Sequence, residues 1–328
     1  MLSPAKEDAL DELDRKIVVA LQVNVRASWN QIARAVGSSE STVARRANRL
    51  LDEGLLQFLV APEPSVANAT RSVLLEINCE PGTMLAVAQA FAERPAVRFS
   101  ALVSGPFDVL VEHEYESQQQ LARLLVDELG RIPGIKQTIT HGVTKNFKKA
   151  NEWARHLIGE DGVRELVPDP PERVTTPAMD DIDQRLIELL RMDARRTHSD
   201  LAADLSISDS MVRRRLEALI ASKSISFSTY IEPRRMGFGL EAFIWLETEF
   251  GSMQSVAEHL TLLPQVRYLA AIAGTSSLVC EVILPDVSAL YDFQATVLGS
   301  LTGLRSAQVT IELRTLKRSF VQIARPVG

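Results

Sequence analysis

Apolar residues early in the chain recur at helical spacing. Leu13, Ile17, Val18 and Leu21 form one such stripe. Ser28-Trp29-Asn30-Gln31 has the form of a capping box, in which serine and glutamine satisfy each other's backbone donors, and it opens a helix carrying Ile32, Ala33 and Val36. Gly37 is placed to end that helix. Ser39 follows as the cap of a third helix, with Val43, Ala47 and Leu50 inside, arginines outside and Gly54 as its stop. Two helices joined by a short turn, the second with outward arginines, predict a helix-turn-helix.

Further along, the period falls towards two. Residues 71–149 predict a strand at 72–78, a helix to about Glu93, strands at 97–103 and 107–111, a helix capped by Ser117 and a last strand at 135–144. Pro81-Gly82, Pro95, Ser104-Gly105-Pro106 and Pro133-Gly134 punctuate them. The order βαββαβ is that of a ferredoxin-like unit.

The pattern is then written again. An offset of 169 positions places Leu13-Asp14, Arg26, Ser39, Ser41, Val43 and Arg45-Arg46 on Ile182-Asp183, Arg195, Ser208, Ser210, Val212 and Arg214-Arg215. The same offset carries Val97-Arg98, Gly105, Gly134 and Lys148 onto Val266-Arg267, Gly274, Gly303 and Lys317. Thr197 and Ser208 open the second and third helices of the repeat, and residues 240–320 repeat the βαββαβ order. Residues 151–166 read as a connecting helix with Trp153 and Leu157, and 167–177 as an extended proline-rich spacer. The expected class is α+β, in five parts: a winged helix-turn-helix (1–60), a ferredoxin-like domain (61–150), a connector (151–178), a second helix-turn-helix (179–230) and a second ferredoxin-like domain (231–328).

A chain of 328 residues is long enough for several cores, and 46% hydrophobic with 24% charged residues is ordinary for a globular protein. A net charge of -6 does not announce a polyanionic partner, but binding depends on where the arginines sit. No apolar run reaches the length of a membrane span, and the acidic start (Glu7, Asp8, Asp11, Glu12) is unlike a signal peptide, so a cytoplasmic protein without a membrane partner is expected. Cys79 and Cys280 sit in apolar strands at unmatched positions, as buried reduced thiols would.

Arg45, Arg46 and Arg49 lie on one recognition-type helix, and Arg213, Arg214 and Arg215 on the other. Long donors of this kind reach guanine edges or phosphates in a major groove. They could instead form a solvated face paired with Glu40, Asp52, Asp209 or Glu217. The helix starts Ser39 and Ser208 can donate to phosphate, and Ser41, Thr42, Ser210 and Met211 are the outward positions able to touch bases. Thr42 against Met211 marks the two half-sites as open to difference. The five histidines show no metal-ligand spacing, and no glycine-rich phosphate loop follows a strand, so neither catalysis, a metal nor a cofactor is expected.

Leu13-Asp14, Arg26, Ile32-Ala33 and Ser39-x-x-Thr42-Val43-x-Arg45-Arg46-x-x-Arg49-Leu50-x-x-x-Gly54, followed by βαββαβ and the turn Ser104-Gly105-Pro106-Phe107-Asp108, resemble the Lrp/AsnC family of transcription regulators. The resemblance covers nearly the whole chain, as a tandem pair of units. It implies double-stranded DNA and a small effector such as an amino acid as partners, and sensor domains that pack sheet to sheet, within one chain or in a homo-oligomer. It further implies that the effector lies at Ser104, Gly105, Phe107 and Asp108, and at Gly274, Thr275 and Ser276 of the repeat. The Asp108 carboxylate could pair with a ligand ammonium, or could close the turn by bonding its own backbone. Two positions depart from the pattern: Lys223 stands where the first unit has Gly54, and Ser277 where it has Asp108. Sirohaem decarboxylases also resemble fused units of this kind, with histidine–arginine chemistry in the sensor domains. The absence of histidine between Gly54 and Glu112 speaks against that alternative.

Overall fold

The computed structural model describes residues 10–62, 71–148, 154–167, 179–222 and 224–323. In chain order the elements are α1 (Glu12–Val23), α2 (Trp29–Val36), α3 (Glu40–Asp52), β1 (Leu56–Pro62), β2 (Arg71–Cys79), α4 (Met84–Ala92), β3 (Val97–Ser104), β4 (Val109–Tyr115), α5 (Gln118–Arg123), β5 (Ile135–Lys148) and α6 (Gly159–Leu166). The second repeat continues with α7 (Asp181–Met192), α8 (His198–Leu205), α9 (Asp209–Ala221), β6 (Ile225–Ile231), β7 (Leu240–Thr248), α10 (Met253–Thr261), β8 (Val266–Ala273), β9 (Leu278–Leu284), α11 (Val287–Asp292), β10 (Leu304–Arg318) and β11 (Val321–Gln322). Both helix-turn-helix motifs and both βαββαβ orders expected from the sequence are present. The connecting helix is seen only as α6, and its expected start at Trp153, the proline-rich spacer and Lys223 lie outside the described residues.

Like joins like across the repeats. One unit takes the described residues within 9–69 and 154–236, and the other those within 70–153 and 237–328. In the first unit, β1 and β6 pair antiparallel, strands that the sequence reading had not assigned. Leu59 faces Ser228 at the middle of the ladder, and Leu56 faces Ile231 at its end. These central positions are repeat equivalents, so the ladder is centred on a local twofold axis. An interface of this symmetry is isologous: each contact is made twice. Arg26 donates from Nη1 to the Ala194 carbonyl (2.7 Å) and from Nη2 to that of Arg196 (3.1 Å). Arg195 returns the contact, donating to the carbonyls of Val25 and Ala27, the latter at 2.9 Å. Its guanidinium also lies 3.8 Å from the ring centroid of Trp29.

In the second unit the strands form one nine-stranded sheet, β11-β10-β3-β4-β2-β5-β8-β9-β7, which closes on itself because β7 also pairs with β10. The last strand of each ferredoxin-like domain is longer than the sequence pattern indicates, since its tail leaves its own domain. β5 pairs with β2 and then with β8, and β10 pairs with β7 and then with β3. The inner face holds Leu74, Phe99, Ala101, Val103, Phe107 and Leu110 against Phe243, Trp245, Tyr268, Ala270, Ile272 and Val279. The outer face of each half packs its own helices, around Phe91 in one and Leu260 in the other. Val97 faces outward and Phe99 inward although they share parity, because the ladder of β3 and β4 shifts register between them. The same shift lies between Val266 and Tyr268. A bulge re-aims the side chains at its site. Here it sets Arg98 and Arg267 where they reach Glu112 and Glu281.

Candidate nucleic-acid interface and effector loops

The turn between α2 and α3 is built as its residues dictate. Ser28 and Gln31 complete the capping box, and Gly37 ends α2 in the left-handed region at φ 69°. The Ser39 hydroxyl accepts from the Thr42 amide at 3.3 Å and so caps α3. The repeat uses Thr197 as its cap, Ser206 at φ 55° where the first unit has glycine, and Ser208 accepting from the Met211 amide at 3.3 Å. Val43, Ala47 and Leu50 are buried under α3, and Val212, Leu216 and Leu219 under α9.

The arginines separate into two groups. Arg46 bonds to Asp11 and, at 3.0 Å, to Asp14, while Arg49 reaches Asp14 at 2.5 Å. Asp14 is buried. In the repeat, Arg215 holds Asp183 at 2.8 Å and Asp180 at 2.9 Å. The clamp recurs without its Arg49 arm, since that position is Ala218 in the repeat, and in both units it ties the third helix to the first. The hydrogen bond from Arg46 lowers the Asp11 carboxyl below its ordinary range, and for Asp180 the amide of Asp183 leads, followed by Arg215. Arg45, Arg213 and Arg214 are exposed and make no ion pair or hydrogen bond among the described residues. Ser41 and Ser210 are exposed beside them, and Thr42 and Met211 are half-buried.

The loops expected to meet an effector are engaged with the fold. An Asp108 Oδ2 accepts from the Cys79 amide at 2.7 Å, closing the end of β2. Ser277 does the same in the repeat, accepting from the Thr248 amide at 3.2 Å. The pair that differs in charge therefore shares one structural task. Phe107 is buried edge-on to Trp245, with ring centroids 5.9 Å apart. Ser104 and Ser276 are half-buried, while Gly105 and Thr275 are exposed. Gly274 has no room for a side chain, since a Cβ there would fall 2.1 Å from Nδ1 of His141.

His141 is fully buried, 3.1 Å from Glu76 and tilted at 39° against Trp245 with ring centroids 5.1 Å apart, and the Trp245 indole donates to Thr310 at 3.2 Å. Sequence reasoning missed this group, because neither Glu76 nor His141 is matched by a like residue in the repeat. It also missed the charged cluster beside the inner face. In the first half Arg98 pairs with Glu112 at 3.0 Å. In the second, Arg267 and Arg318 hold Glu241, Glu281 and Glu312. Burial and the neighbouring Glu241 push the Glu312 carboxyl up to about 7. Burial works in the same direction on Glu281, but Arg267 and Arg318 outweigh it and hold that carboxyl at about 2. The three carboxylates lie close enough to share a cation. That cation is the Arg267 guanidinium, which bonds two of them and stands 3.9 Å from Glu312. A neighbouring void of about 20 Å³, bordered by Phe99, Glu112 and Tyr268, has the size of a water molecule and not of an amino acid. No described helix is long and apolar enough to cross a membrane.

The comparisons agree with this architecture. The model of the AsnC-type helix-turn-helix domain matches residues 10–51 and 179–220, and that of the Lrp/AsnC ligand binding domain matches 72–153 and 241–321. An uncharacterised HTH-type transcriptional regulator of Pyrococcus furiosus is 34% identical over 136 residues, covering 41% of this chain and 92% of that protein. One from Pyrococcus horikoshii is 32% identical over 136 residues, covering 41% and 86%. The solved siroheme decarboxylase NirDL matches 94% of this chain and 93% of its own with a TM-score of 0.57 and 13% identity, a likeness of fold alone. With both family domains matched twice and in order, the chain belongs to the Lrp/AsnC family and carries the family's unit two times over in one polypeptide.

Proposed function

We propose that this protein is a cytoplasmic DNA-binding transcription regulator in which a single chain supplies both half-site readers. The observation that carries the reading is the reciprocal exchange of Arg26 and Arg195 about a ladder centred on Leu59 and Ser228. Paired helix-turn-helix motifs read two half-sites on one face of a duplex, and a twofold relation is what that task needs. Arg45 and its equivalent Arg214, with Arg213, are the uncommitted cations of the two recognition helices and the residues assigned here to DNA. Arg46, Arg49 and Arg215 are assigned chiefly to the clamp that sets each recognition helix on its neighbour.

The ferredoxin-like unit is read as the sensor of an amino acid or similar metabolite, supported by its match to the ligand-binding domain of the family. An effector favouring one state of the sensor changes DNA affinity by the same factor as DNA changes effector affinity. Further homo-oligomerisation through the sensor unit belongs to the same reading. The relatives named as HTH-type transcriptional regulators favour this over an enzyme. The test is selection of bound fragments from genomic DNA, followed by mobility shifts with Arg45→Ala and Arg214→Ala and calorimetry with a panel of amino acids. Weakened shifts in both variants are expected, and unchanged shifts at near-physiological salt would reject the assignment.

A further inference from the structure

A protein that reads DNA with two identical helices is bound to a palindromic site by its own symmetry. This chain has the twofold frame without the identity. The residues that hold the frame are matched: Arg26 with Arg195, Asp14 with Asp183, Arg46 with Arg215 and Ser39 with Ser208. The outward face of the recognition helix is matched only in part. Ser41 and Arg45 recur as Ser210 and Arg214, but Thr42 becomes Met211, Ala44 becomes Arg213 and Asn48 becomes Glu217. Asn48, Arg213 and Glu217 are exposed, and neither packing nor an ion pair to a described residue accounts for the change.

We propose that α3 and α9 read unlike half-sites, so that the operator is non-palindromic and is bound in one orientation. The proposal rests on the reading of the chain as a DNA-binding regulator. Each replacement alters what a base edge or phosphate would meet. A threonine hydroxyl donates and accepts, whereas a methionine thioether offers mainly apolar contact, as to a thymine methyl. An asparagine amide can pair with adenine through both a donor and an acceptor, whereas a glutamate only accepts, as from cytosine N4, and repels phosphate. Arg213 adds a guanidinium, suited to guanine or phosphate, where α3 has a methyl group. The two helices therefore differ in where charge sits, in donor count and in polarity at these outward positions. Linking both readers in one chain fixes which helix accompanies which, an arrangement that free homodimers cannot maintain.

Selection of bound duplexes from a random library by the full-length protein, followed by sequencing, tests this. The expected result is a motif of two dissimilar halves spaced by about one helical turn or a multiple of it. Two variants exchange the outer faces: Thr42→Met with Ala44→Arg and Asn48→Glu, and the reverse Met211→Thr with Arg213→Ala and Glu217→Asn. The first should select a palindrome of the α9 half and the second a palindrome of the α3 half. Each should lose about tenfold or more on the wild-type operator, as a half-site of wrong bases would cost. A palindromic wild-type motif would overturn the proposal, as would an unchanged motif from either folded variant. Enrichment of no sequence at all would reject the parent reading of DNA recognition and this proposal with it.

Discussion

The two halves of the sensor unit start from the same strand geometry and end with different chemistry. In the first, a bulge presents Arg98 to Glu112, one charge to one charge, with the arginine side chain about a quarter exposed. In the second, the equivalent bulge presents Arg267 to Glu281, and Glu241, Glu312 and Arg318 have joined them. The equivalents of Glu241 and Glu312 in the first half are Ser72 and Val143. Three carboxylates then face two guanidinia, and the imbalance appears as one carboxyl that protonates near neutrality. The helix-turn-helix pair shows the same division of labour. The arginine contacts across its twofold are duplicated, and the positions that face outward have diverged in part. Symmetry is kept where the fold needs it and relaxed where recognition or regulation can use the difference.

The largest effect that tests this contrast is loss of the central guanidinium. Arg267→Ala should destabilise the sensor unit by about 3–5 kcal/mol, because it leaves buried negative charge uncompensated. Arg98→Ala should cost about 1–3 kcal/mol, since it strands a single acceptor. Denaturant melts of the two variants measure the gap, and equal losses would erase the distinction between pair and cluster.

A second contrast separates clamp from reader. Arg46→Ala should cost about 1–3 kcal/mol of stability by leaving buried Asp14 short of a partner. Arg45→Ala should change stability by no more than about 0.5 kcal/mol. It should nevertheless weaken operator binding and flatten the salt dependence by about one unit, the expected effect of leaving one phosphate without its guanidinium. Salt-titrated mobility shifts beside thermal melts decide between the roles.

The cluster also carries a pH signature. Glu312 has a folded value of about 7 against an ordinary 4.5. Below 4.5 it is protonated in both states, and its contribution to stability is fully present. As pH rises the unfolded chain ionises first, so that contribution is lost through about pH 7. The slope reaches at most about 1.4 kcal/mol per pH unit. Wild type should therefore lose stability relative to Glu312→Gln between about pH 4.5 and 7 and level off above that, read from paired melts at each pH, and parallel profiles would refute it. The smallest contrast is in the turns. Gly37→Ala should cost about 1 kcal/mol by forcing a side chain into the left-handed region, while Ser206→Gly should gain a few tenths.

Much of the fold was legible because a duplicated pattern confirms itself: helix caps, breaks and apolar periods recur at one offset. The short strands β1 and β6 were not, since each follows a helix directly and its partner is the equivalent strand of the other repeat. The bulges were hidden for a related reason. Val97 and Phe99 look like two residues of one face, and only the shift in the ladder separates them. The recurrence of Arg26 and Arg195 was visible, but their partners are backbone carbonyls, which no residue type records. At the candidate site, the sequence groups the arginines of each third helix together, yet Arg46, Arg49 and Arg215 turn towards aspartates at the first helix of their own repeat. The contrast of Asp108 with Ser277 suggested a lost charge for a ligand. Both side chains offer an oxygen to the equivalent backbone amide, and that shared duty explains why a serine can stand there.

The central claim is that one chain occupies both half-sites. Footprinting on the selected operator with wild type, Arg45→Ala and Arg214→Ala tests it most directly. The account expects Arg45→Ala to lose protection at one half-site only and Arg214→Ala at the other only. Loss at both half-sites from either single variant would mean that two chains pair repeat with like repeat, and would contradict it.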